Sequence, residues 1–141
     1  MDPKSFEQAA RKVQTFIQTD IPKIVQVEGK NHFKQSFRDE GFTDEILVKW
    51  PDISEKAKDR KRRKNGSLTP ILTDSGNLGD SIDADIEPGQ VVFGSDVPYA
   101  KRHNEGEKGT PKRQFMGPSK ALEKKIIDKI DRQLKQFFNP I

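Results

Sequence analysis

Between Ile82 and Gly94 the sequence leaves little choice of local structure. Ile82, Ala84 and Ile86 fall on one side of an extended chain and Asp83, Asp85 and Glu87 on the other. Pro88-Gly89 then supplies a turn, and Gln90-Val91-Val92-Phe93-Gly94 returns. A period of two around a turn pair predicts a β-hairpin with one wet face. Two strands cannot bury an apolar face by themselves, so helices elsewhere in the chain have to cover it.

Those helices are legible from their spacing. Asp2 can cap and Pro3 can open a first helix carrying Phe6, Ala9, Ala10, Val13, Phe16 and Ile17 at helical intervals. A second starts the same way at Asp20 and Pro22, buries Ile21, Ile24, Val25, Phe33 and Phe37, and is predicted to stop at Gly41, with Gly29 weakening its middle. Gly117-Pro118-Ser119 precedes the clearest stripe of all, Leu122, Ile126, Ile127, Ile130, Leu134 and Phe137. Ile46, Leu47, Val48 and Trp50 form one short apolar stretch before Pro51, with Trp50 as its anchor to the core. Thr73-Asp74 offer caps for a short helix or turn holding Leu78 and Ile82, and Pro98 to His103 another helical turn. The expected fold is α+β: a small antiparallel sheet with a β-hairpin, packed by two N-terminal helices and one long C-terminal helix, as one domain over 1–141.

Charge is concentrated in one place. Lys56 to Lys64 carries seven cations and one anion against a whole-chain excess of four, so the rest of the chain is net negative by two. Like-charge repulsion, few apolar anchors and Asn65-Gly66 predict an exposed basic loop over 52–67. A second exposed loop, 104–112, is expected from Gly106, Gly109, Thr110 and Pro111. Lys56, Lys58, Arg60, Lys61, Arg62, Arg63 and Lys64 can neutralise several phosphates without reading sequence, or dock on an acidic protein. No aromatic residue stands inside the block, which argues against a dedicated single-strand binder. Charge reversal at Arg60, Lys61, Arg62 and Arg63 is expected to leave the fold intact.

Catalytic patterns are missing. The chain has no cysteine, which excludes disulfides, thiolate metal sites and cysteine nucleophiles. Its two histidines, His32 and His103, lie in no catalytic or metal-binding pattern: His32 reads as a packing or surface residue, and His103 as a group fixing its loop. Neither GEKGTPKR nor GPSK has the spacing of a phosphate loop. No apolar run is long enough for a membrane span and no secretory leader is evident, so a product that stays in the cytoplasm is expected. No cofactor, metal or small-molecule substrate is expected.

Taken in order, LTDSGNLGDSI (Leu72 to Ile82), VVFGSDVPYAKRHNEG (Val91 to Gly106), RQFMGPS (Arg113 to Ser119) and the terminal amphipathic helix resemble the bacteriophage virion morphogenesis family, which includes tail-completion and neck proteins. NHFKQSFRDEGF (Asn31 to Phe42) with Trp50 extends the resemblance upstream. The resemblance implies a non-enzymatic structural protein that completes the tail or joins it to the head, as part of a homo-oligomeric ring. Its partners would be tail or head-connector proteins, with non-specific DNA contact open to the basic segment. It would reside in the host bacterial cytoplasm during assembly and then in the virion. At the matched positions, Gly76, Leu78, Ser81, Ile82, Tyr99, Ala100, His103, Gly106, Arg113 and Phe115 read as scaffold, with Ser75 and Ser81 capping backbone and Tyr99 against the sheet edge. A small basic nucleic-acid-binding protein acting through 56–64 is the alternative, and an enzyme fragment a third reading.

Overall fold

The computed structural model describes residues 2–73 and 76–138. The capping roles expected of Asp74 and Ser75 lie outside them. Asp2 caps α1 (Pro3–Thr15) by accepting a hydrogen bond from the Ser5 amide at 2.8 Å. Two separate N-terminal helices are expected from Asp20 and Pro22, but α1 runs through a π-helical turn, Phe16–Asp20, directly into α2 (Ile21–Asp39). Asp20 keeps helical backbone angles and makes no side-chain cap. The Ile21 N–H reaches back to the Phe16 carbonyl, a wide i→i+5 bond, and the rod continues past Pro22, which has no N–H to give.

α2 ends at Asp39, two residues before its predicted glycine. Glu40 takes the left-handed conformation (φ 50°) and bonds to the Ser36 carbonyl, which frees Gly41 to open β1 (Gly41–Thr43). β1 pairs antiparallel with β2 (Leu47–Lys49), Phe42 opposite Val48. The apolar stretch at 46–50, long enough for one strand or an extended segment, thus holds a strand whose partner helix capping had claimed. Trp50 is buried as expected, its indole N–H donating to the Gln114 carbonyl at 2.7 Å.

The predicted hairpin is present, β3 (Ile82–Glu87) against β4 (Gln90–Ser95), with Ile82 opposite Ser95 and Glu87 opposite Gln90. Ile82 and Ala84 are buried, whereas Ile86 is exposed near the tip. The strands make two separate two-stranded sheets in place of one small sheet. α2 packs against both strands of the hairpin and against α6 (Lys120–Phe138). Gly29 is less a bend than a seat, because the Phe93 ring occupies the space a β-carbon would need.

The exposed basic loop is a helix. α3 (Glu55–Asn65) is capped by Ser54, whose hydroxyl accepts from the Ala57 amide at 3.2 Å, and it ends at Gly66, whose N–H bonds to the Arg62 carbonyl. Lysine and arginine are good helix formers, and three of them sit in the last turn, where the helix dipole favours cations. α4 (Asn77–Asp80) and α5 (Ala100–Glu105) are short; α5 takes the first two residues of the predicted 104–112 loop. The core gathers Phe33, Phe37, Phe42, Trp50, Leu78 and Phe115 from five parts of the chain. Leu122 and Ile126 bring α6 onto it, Phe137 meets Phe16 edge to face, and Ile127 faces solvent, 62 % exposed, so the stripe is narrower than its spacing predicts.

Candidate interaction surface

The segment Arg113–Met116 ties together elements remote in sequence. The Arg113 guanidinium donates from Nε to the Pro51 carbonyl at 3.0 Å and from Nη2 to the Asp52 carbonyl at 3.1 Å, while its amide bonds to the His103 carbonyl at 2.8 Å. Asn104 Oδ1 accepts from the amides of Phe115 and Met116 at 2.9 and 3.0 Å. Phe115, 2 % exposed, packs its ring 5.2 Å from Phe37, and its carbonyl accepts from Ser36 Oγ at 3.1 Å. Arg113 and Phe115 thus hold distant backbone segments together. Asn104 carries as much of the junction, yet no spacing in the sequence marks it.

Other motif residues sit in the core or at helix ends. Gly76 sits at the start of α4, Leu78, Ile82 and Ala100 are buried, and Ser81 Oγ donates to the Leu78 carbonyl at 2.6 Å. Gly106 closes α5 with φ 72° and lies so close to Lys112 that a β-carbon would sit 2.8 Å from that residue's own. The Tyr99 ring lies edge-on to His103 at 5.9 Å and borders a cleft with Ala57, Arg60 and Arg113. Burial, and after it the charges of Arg113 and Arg102, hold the His103 pKa below its ordinary 6.5.

α3 sorts the basic block into two populations. Lys61 is turned inward, 8 % exposed, and donates to the Pro70 carbonyl at 2.9 Å and to Thr69 Oγ1 at 3.2 Å. Lys58 bridges Asp52 at 2.9 Å and Glu55 at 3.3 Å. That pairing raises the Lys58 pKa and lowers that of Asp52, with the hydrogen bond between the two as the leading cause of each shift. Arg62 pairs with Asp59 at 3.1 Å. Lys56, Arg60, Arg63 and Lys64 are exposed and make no ion pair among the described residues. Spaced i, i+4, i+7 and i+8, these four fall within about 100° of the helix circumference. Charge reversal at Lys61 would therefore strike the fold, contrary to what the sequence alone leads one to expect.

The same folding brings an exposed aromatic, Tyr99, to the same cleft as Arg60 across 39 residues of chain. His32 and Ser119 also meet, with Nε2 and Oγ 3.0 Å apart. Ser119 is buried, donates to the Thr43 carbonyl at 2.7 Å and accepts from the Leu122 amide at 3.1 Å. It is a helix cap and is not presented to any substrate. Among the described residues no group of His, Asp and Glu is placed to hold a metal ion, and no helix is long and apolar enough to cross a membrane.

The family model of the phage virion morphogenesis family matches residues 48–135, more than half of the chain. The stretch Asn31 to Phe42 lies outside the match. No curated protein and no solved structure matches the chain.

Proposed function

The chain belongs to the phage virion morphogenesis family, and from that premise we propose that it is a non-enzymatic structural protein that completes the tail or joins it to the head at the neck, as one subunit of a ring. In this reading it acts in the bacterial cytoplasm during assembly and then remains in the particle. The observation that carries it is how the polar side chains are used. Arg113, Asn104, Ser119 and Lys61 are committed to backbone partners inside the fold, whereas Lys56, Arg60, Arg63 and Lys64 stand together on the outer flank of α3 with no ion pair among the described residues. Such a distribution suits a molecule that works by being docked.

The test is electron microscopy of lysates from a phage or prophage with an early stop in this gene, complemented in trans. Filled heads beside unattached or irregularly long tails are expected. Joined particles with normal tails would overturn the reading.

The cleft favours a second reading, direct DNA contact. Arg60 and the exposed Tyr99 border one cleft, and the flank of four cations can follow a phosphate backbone. Binding that falls steeply with added salt and is lost on charge reversal at Arg60 and Arg63 would support it.

A further inference from the structure

The flank of α3 has a counterpart of opposite sign on the same chain. A concavity between α2, α4 and the hairpin is lined by Asp80, Asp83, Asp85 and Asp96 and, from α2, by Lys30 and Lys34, four carboxylates against two cations. Asp83 is engaged by Lys30 at 3.3 Å. Asp80, Asp85 and Asp96 are exposed and make no ion pair among the described residues. The molecule therefore carries one surface with four unpaired cations and another with three unpaired carboxylates.

We propose that the Lys56, Arg60, Arg63 and Lys64 flank of α3 docks into the Asp80, Asp85 and Asp96 concavity of a second copy of this chain. The flank is a rigid rod face about 12 Å long, and the concavity is built from other residues, those of α2, α4 and the hairpin. The contact is thus heterologous: each copy that donates α3 to one neighbour keeps its concavity free for the next, so copies join head to tail and close only if the rotation between them allows. Complementary charge fixes which surfaces meet and repels flank from flank. The inference deepens the structural reading above and rests on it only for its setting; association of the purified chain and the particle phenotype are measured separately and can fail separately.

Sedimentation velocity of the full-length chain at rising concentration, in low and high salt, tests it with two variants. One carries Arg60→Glu and Arg63→Glu, the other Asp85→Lys and Asp96→Lys. All four side chains are exposed, and unchanged far-ultraviolet circular dichroism verifies the fold; Lys56→Glu with Lys64→Glu is a second flank variant with the same expectation. The wild-type chain is expected to associate in low salt and dissociate in high salt. Each variant alone should lose the associated species. An equal mixture of the two should regain it, because each supplies the surface the other lacks. A wild-type chain that stays monomeric, a variant that associates as the wild type does, or a mixture that stays monomeric overturns the proposal. So does a monomer that binds duplex DNA through the flank and loses that binding with Arg60→Glu and Arg63→Glu.

Discussion

Gly29 illustrates how little a residue's type says without its neighbour. In the sequence it is a weak point in a helix; in the fold it is the place where the Phe93 ring lies against α2. A methyl group there has to displace an aromatic ring, so Gly29→Ala is expected to destabilise by about 1–3 kcal/mol despite its better helix propensity. Pairing it with Phe93→Leu should recover part of that loss in urea unfolding. His103 makes a prediction in pH. Its folded pKa lies below the ordinary 6.5, so on acidification the unfolded chain takes up the proton first. Its neutral form costs nothing above pH 6.5, and stability declines as the pH falls through 6.5 toward the lowered folded value. Asp52 and Asp83, both lowered, act in a separate window: their contribution is present above 3.8 and lost as the pH falls below it. Urea midpoints across pH should show the upper decline flattened in His103→Gln and the lower one retained.

α3 shows which signals in a sequence carry an element. Apolar periodicity is absent from KAKDRKRRK, and a reading that relies on it finds a loop. The punctuation was nonetheless present, with Ser54 and Glu55 at one end and Gly66 at the other, around residues that favour helix. What sequence could not supply was the inward anchor, since Lys61 reaches acceptors at Thr69 and Pro70 that only a returning chain brings near. Because the cap matters to so polar a helix, Ser54→Ala is expected to cost about 1 kcal/mol. Amide exchange should quicken across 55–65 while Phe33 and Phe37 in α2 stay protected; unchanged exchange in α3 would show that Lys61 alone holds it. The hairpin β3–β4 was legible for the opposite reason, as its alternation and its turn coincide. β1 was not, because three residues, Gly-Phe-Thr, are too few to show a period beside a stronger helix-ending signal.

At the scale of the molecule, the α+β class and most of the core follow from the stripes and the hairpin, whereas the joining of distant parts does not. The junction of Asn104, Arg113 and Phe115, the cleft between Tyr99 and Arg60, and the concavity lined by four aspartates all bring together residues with no common pattern in the chain. The π-helical turn at Phe16–Asp20 has a consequence of its own. A turn closed by i→i+5 bonds takes in roughly one residue more than an α-helical turn, and each helical residue advances the chain by about 100°. The azimuth of α1 about the rod is thereby buffered against chain length: dropping one residue between 16 and 20 would turn the wide turn into an ordinary α-helical one and leave Phe6 and Val13 on nearly their present bearing.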